Sequence, residues 1–197
     1  MSQFGRWIAL ALLLALGGCT SVGQLEKDVA APTEKESIFI FGLDPQDIRV
    51  SLMHGSISPN GFSQSQLSPV FTLKGIAKNG YLVGKASAGD IVGIIRMEVV
   101  KGESDLYGKG YVPCRGNKTL TFEVPAGKVI YIADLHYFKN GSRLGVNYRH
   151  HFDSAMRYID ENYPNLKGKV EVWPYQLTDS NMPCSSTIYI PIVIPGR

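Results

Sequence analysis

From Ile38 onward, short apolar runs alternate with turn residues, a pattern that predicts strands at close spacing. Ile38–Phe41 and Ile48–Met53 are the first two. Phe71–Gly84 carries Asn79-Gly80 between apolar runs, the strongest short hairpin signal. Ile91–Val100 is almost continuously apolar, as expected of a strand buried on both faces. Leu120, Phe122 and Val124 alternate with Thr119, Thr121 and Glu123, giving a half-buried strand of period two. Pro125-Ala126-Gly127 turns the chain into Val129–Phe138, and Asn140-Gly141 returns it through Gly145 to Phe152. One helix interrupts the pattern: Asp153 is its expected N-cap, Phe152, Met156, Ile159 and Tyr163 share a face, and Pro164 ends it. Val170–Tyr175 and Ile188–Ile194 read as closing strands, with Pro191 marking an edge or bulge. The expected fold is mainly β, an antiparallel β-sandwich with one α-helix in the C-terminal half; a closed barrel is the alternative.

The N-terminal residues follow a different pattern. Met1–Arg6 carry positive charge and Trp7–Leu16 form an apolar run, too short for the roughly 20 residues that span a bilayer about 30 Å thick. The run ends in Leu16-Gly17-Gly18-Cys19, which resembles the lipobox of bacterial lipoproteins. That resemblance implies a signal peptide over residues 1–18 and a Cys19 thiol that takes a diacylglyceryl thioether. In Gram-negative lipoproteins an Asp after the cysteine retains the protein in the inner membrane. Here Thr20 stands there, which implies an outer-membrane anchor with the domain facing the periplasm, or displayed at the cell surface. Residues 19–37, polar and without apolar period, read as a lipidated cysteine and flexible tether, followed by one domain over 38–197.

Two further stretches, Phe122–Asp134 and Ala155–Leu166, resemble uncharacterised proteobacterial lipoproteins. In these, a strand pair of a β-sandwich like Phe122–Ile132 precedes a helix ending in Tyr-Pro. The shared motif is structural, so it implies the fold and carries over no catalytic residue. With Cys19 acylated, Cys114 and Cys184 are the two remaining thiols. An oxidising periplasm makes a disulfide between them the simplest outcome, with two buried free thiols as the alternative. Without Arg6, 19 of the 20 Lys+Arg remain against 17 Asp+Glu. A balance that close to neutral, and evenly spread, excludes the basic stripe of a nucleic-acid binder.

Chemistry is sparse. His136, His150 and His151 flank the Asn140-Gly141 turn, but a tight hairpin there pairs His136 with Gly145 and His150 with Tyr131. That leaves the two histidine groups about 15 Å apart at roughly 3.3 Å per residue. No metal site is expected from this hairpin, and no cofactor. There is no Gly-x-Ser-x-Gly elbow, His-Glu-x-x-His or phosphate-cradling glycine loop, so no catalytic residue is assigned. Asp160-Glu161 read as a solvated helix face. Asn117-Lys-Thr119 and Asn140-Gly-Ser142 match the glycosylation acceptor pattern by coincidence, given a bacterial export signal. Tyr131, Tyr137, Tyr148, Trp173 and Tyr175 cluster in the C-terminal half as core residues or as a candidate binding surface, and Tyr131 and Tyr137 are expected on one face. The expected role is non-catalytic: an envelope lipoprotein binding a partner protein as accessory subunit or inhibitor. The alternative is a periplasmic domain that binds or senses a small ligand or glycan.

Overall fold

The computed structural model describes residues 23–66, 72–101, 109–140 and 143–184. Among them, twelve strands form two sheets with one α-helix on the outside. In chain order these are β1 (Glu36–Asp44), β2 (Ile48–Ser58), β3 (Gly61–Gln64), β4 (Leu73–Ile76), β5 (Tyr81–Ser87), β6 (Ile91–Val99), β7 (Lys109–Tyr111), β8 (Lys118–Glu123), β9 (Val129–Asn140), β10 (Arg143–Arg149), α1 (Phe152–Asn162), β11 (Val170–Val172) and β12 (Gln176–Asp179). The first sheet runs β10-β9-β1-β5, with β11 on the start of β9. The second runs β12-β8-β6-β2-β3, with β4 on β2 and β7 on β6. Pairing is antiparallel except between β1 and β9 and between β9 and β11, which are parallel. The expected mainly-β sandwich with one helix is what forms. The closing strand expected over Ile188–Ile194 lies outside the described residues.

Phe39, Phe41 and Phe122 meet edge to face between the sheets, their centroids 5.4 to 6.0 Å apart. They form one core with Leu52, Val92, Ile130 and Ile132. The alternate residues of β1, Ile38 and Ile40, face outward but are covered by Ala155, Ile159, Tyr163 and Leu166 of the helical segment. The first sheet is therefore buried on both faces along β1, which explains the unbroken Ile-Phe-Ile-Phe run. Phe62 is placed differently. Its ring lies against Gly55 and Gly93, where a side chain would collide with it. It packs with Met53, Ile95 and Met182. A parallel bridge from Phe62 to Ser180 draws the outer strands of the second sheet together, so this sheet curls towards closure.

Asn79 and Gly80 both take positive φ, 50° and 85°, as the type I′ turn requires. Beyond the Lys78–Tyr81 bridge the expected hairpin does not form: β4 pairs with β2 in one sheet and β5 with β1 in the other. The helix starts two residues earlier than expected, at Phe152, with His151 and not Asp153 as N-cap. Asp153 lies in the first turn, where its charge complements the helix dipole. Tyr163 is the C-cap, and Pro164 opens a 3-10 turn through Leu166. Cys114 and Cys184 form a disulfide, 70 residues apart in sequence.

The flexible segment expected up to Ser37 is docked from Gln24 onward. The Gln24 side-chain amide donates to the Tyr158 and Tyr163 hydroxyls, at 3.2 Å each. The Leu25 N–H donates to the Val83 carbonyl on the free side of β5. Leu25 and Val29 pack against the α1 core, and Asn165 donates to the carbonyls of Asp28 and Val29. Tyr163 closes the contact by donating its hydroxyl proton to the Leu25 carbonyl. Polar composition had hidden two apolar anchors spaced one helical turn apart.

Candidate functional site

The site follows from one extra residue in β9. β1 pairs Ile40 with Tyr131 and then Phe41 with Ala133, so Ile132 is a bulge. A one-residue insertion reverses the facing of everything after it. Ile130 and Ile132 point into the sandwich, and so do Ala133, Leu135 and Tyr137. Tyr131 points outward to the helix. Asp134 and His136 thus fall on the outer face with Tyr131, and Tyr137 on the inner one. The expectation that Tyr131 and Tyr137 share a face is corrected by this bulge.

On the outer face, beyond the N-terminus of α1, lies an open cleft of about 330 Å³. Asp44 and Gly42 of β1 sit opposite His136 and Asp134 of β9, and Tyr81, Arg149 and His151 complete the rim. Two histidine–carboxylate pairs face into it: His136 Nδ1 to Asp44 Oδ2 at 2.7 Å, and His151 Nδ1 to Asp134 Oδ2 at 2.5 Å. An ionised carboxylate only accepts hydrogen bonds, so each Nδ1 carries the proton. In its neutral form each ring then presents the lone pair of Nε2.

His151 is the more firmly held. Its backbone N–H donates to the hydroxyl of buried Tyr131, which lies beside the Asp134 carboxylate. The Asp134 side chain lies across Gly42, where any Cβ would collide with it. Asp134 Oδ1 is shut away from solvent with no hydrogen bond among the described residues. Gly42 inside a strand was the one signal in the sequence of such a close approach.

The hairpin register explains why the histidine pair was missed. β9 and β10 close on Asn140 and Arg143, so His136 faces Asn147, not Gly145. β10 ends at Arg149, and His150 and His151 therefore leave the sheet. His150 turns away, its ring stacked 5.9 Å from Tyr175, while His151 turns into the cleft. Among the described residues, no three of His, Cys, Asp and Glu are placed to hold a metal ion.

The five candidate aromatic residues divide. Tyr131 and Tyr137 are buried, at 0% and 3% exposure, and are core residues, not a binding surface. Tyr148, Trp173 and Tyr175 are half-buried at one end of the sandwich, with the Tyr148 and Tyr175 rings 5.6 Å apart. Trp173 is fixed by donating its Nε1 proton to the Glu123 carbonyl, with Lys128 Nζ 5.3 Å from its ring centroid. Val172 and Leu177 flank this group as exposed apolar side chains, so residues 172–177 form a ridge where the chain crosses from the first sheet to the second.

Burial holds the tyrosines protonated. The Tyr148 hydroxyl is pushed up to about 12, first by burial and then by Tyr175. Burial raises Tyr131, Tyr137 and Tyr158 well above the ordinary value of 10. Tyr81 is raised by burial and by the Asp134 charge. The unfolded chain loses these protons near pH 10 while the folded chain keeps them. Their stabilising contribution is thus complete below pH 10 and lost as pH rises through the folded values. Stability to urea is expected to fall from about pH 10 upward. Tyrosinate absorbance from these residues should appear only with unfolding; ionisation in the folded state near pH 10 would contradict the burial.

Compared with known protein families, characterised proteins and solved structures, the chain shows no match.

Proposed function

We propose that this chain is an envelope lipoprotein, acylated at Cys19 in the outer membrane and facing the periplasm, whose domain binds a partner protein as accessory subunit or inhibitor. The observation that carries the binding role is the ridge at residues 172–177. Val172 at 52% exposure and Leu177 at 42% flank two half-buried aromatic rings. Trp173 and Tyr175 are held in place, so a partner gains their contact area at little ordering cost. The docked segment from Gln24 supports the lipid-anchored reading, because it leaves a short connection between Cys19 and a rigid body.

The test places a photo-crosslinking residue at Val172 or Leu177 of the protein in its cells. One abundant envelope protein should be captured from both positions, and Val172→Lys should weaken that capture about tenfold with unchanged thermal stability. Equal capture from β10, or none from the ridge, would remove the ridge as the binding face. Mass measurement of the N-terminal peptide tests acylation of Cys19 separately.

The cleft favours a second reading, binding of a small polar ligand or glycan. Its two Nε2 lone pairs, the Arg149 guanidinium and the Tyr81 hydroxyl offer both acceptors and donors within one open space.

A further inference from the structure

We propose that the cleft beside α1 cleaves small phosphodiesters of a polyol, with the hydroxyl next to the phosphate as nucleophile, His151 as general base, His136 as general acid and Arg149 holding the phosphate. This rests on the reading of the cleft as a site for a small polar ligand, and adds a reaction to it. Asp134 and His136 stand two residues apart on β9 and point to the same outer face. That puts the two carboxylate–imidazole pairs about 7 Å apart along the strand. Two hydrogen bonds of about 2.9 Å, with the oxygens of one phosphate between them, fill such a separation. Arg149 lies opposite Asp134 where β10 pairs with β9. Its guanidinium nevertheless makes no ion pair with that carboxylate, because Oδ1 is shut away and Oδ2 is engaged by His151. The planar fork of Arg149 is left for a ligand in the cleft, where it matches two oxygens of a phosphate. With one ring protonated, the two cations balance the carboxylates Asp44 and Asp134, each of which holds the Nδ1 side of an imidazole.

His151 is oriented as a base is oriented. Asp134 holds its Nδ1, burial keeps Tyr131 protonated beside that carboxylate, and the His151 N–H is fixed on the Tyr131 hydroxyl. A carboxylate that sets the tautomer and steadies the imidazolium makes Nε2 an effective proton acceptor. An ion pair kept for stability alone would contribute little at this exposure, and would not need Gly42 cleared for Asp134. The reaction class follows from the lining. Among the described residues around the cleft there is no serine, threonine or cysteine, so the attacking oxygen comes from the substrate or from water. Both carboxylates are engaged by imidazoles, which removes the pair of free carboxyl groups that glycoside cleavage uses. Two imidazoles and a guanidinium suffice when the substrate brings its own hydroxyl. His151 Nε2 takes the hydroxyl proton as that oxygen bonds to phosphorus. The opposite P–O bond breaks, and the leaving oxygen takes the proton of His136 Nε2. The products are a cyclic phosphodiester and an alcohol, and solvent returns the one proton exchanged between the rings. A space of about 330 Å³ suits a glycerol- or sugar-sized diester.

Two probes separate the roles, both used in the presence of EDTA. Glycerol 4-nitrophenyl phosphate has a leaving group that departs without a proton, whereas the alkoxide leaving from glycerophosphoglycerol needs one. The purified protein should convert both to cyclic glycerol phosphate, seen by phosphorus NMR. His151→Asn, which keeps a good N-cap, should lower kcat about a hundredfold or more on both probes, with KM within about twofold. His136→Gln should do the same on glycerophosphoglycerol but cost less than about tenfold on the nitrophenyl ester. Arg149→Ala should lower kcat/KM about tenfold or more on each. Absence of turnover, or turnover that survives both histidine substitutions, would overturn the reaction. So would equal cleavage of propyl 4-nitrophenyl phosphate, which lacks the neighbouring hydroxyl. Binding of that inert diester is read separately, from the ring nitrogen shifts of His136 and His151. Shifts without turnover of the other two probes would leave the ligand reading standing and sink the catalysis; no shifts and no turnover would sink both. Phosphatidylglycerol in nanodiscs identifies the source: its cleavage supports the reaction on a lipid headgroup, and its survival supports a soluble diester.

Discussion

Replacing Cys114 with serine is expected to lower the melting temperature by about 8–16 °C, whereas replacing Cys19 leaves it unchanged. The disulfide closes a separation of 70 residues. In the chain-entropy model a loop of that size contributes about 4 kcal/mol, and a domain of this length loses about 2–4 °C per kcal/mol. The staple also holds structure. The Arg115 N–H donates to the Met182 carbonyl and the Asn181 N–H to the Phe62 carbonyl, so the chain leading to Cys184 closes the curled sheet over Phe62 and Met182. Scanning calorimetry of Cys19→Ser, Cys114→Ser and Cys114→Ser/Cys184→Ser checks this. The last two should agree and the first should match the unaltered chain. A fall in Cys19→Ser equal to theirs would mean that the cysteines have been assigned the wrong roles.

Much of the fold was legible because it depends on local patterns. The period-two stretch Leu120–Val124, the turn at Asn79-Gly80 and the helix stop at Pro164 each state a backbone preference within a few residues. What escaped depends on pairing between distant segments. Val129–Phe138 is apolar at both parities around Tyr131, Ile132 and Ala133, so no break in alternation announces the bulge. Without the bulge, Tyr131 and Tyr137 fall on one face and the two histidine–carboxylate pairs are never assembled. A two-residue change of hairpin register likewise turned His136 from Gly145 to Asn147. The docking of Leu25 and Val29 needed the α1 surface they cover, which polar composition around them disguised. The candidate cleft was thus the least legible part, since all of its geometry arises from register. The aromatic ridge was half legible, because residue type marked it and burial alone could separate Tyr148, Trp173 and Tyr175 from the core tyrosines.

Gly42→Val should dismantle the cleft and destabilise the domain by about 3 kcal/mol or more. A Cβ at this position occupies the space of the Asp134 carboxylate, and overpacking of this kind costs about 1–3 kcal/mol. The displaced carboxylate also gives up its hydrogen bond to His151 Nδ1, a charge-assisted contact of about 1.5–3 kcal/mol. Two readouts separate a cleft lesion from general damage. Nitrogen chemical shifts of the unaltered protein should show His136 and His151 in the Nδ1–H tautomer, and Gly42→Val should release His151 alone, because His136 is held by Asp44. The double variant Gly42→Val/Asp134→Ala should be more stable than Gly42→Val, since removing the carboxylate removes the collision. Additive losses would mean that Gly42 is not kept for Asp134, and the pair would lose its claim to be a built site. A non-additive recovery, with His151 still in the wrong tautomer, would show that the glycine serves the orientation of that imidazole. A strand has no need of a glycine at this point, so its presence would then be explained by what the imidazole meets in the cleft.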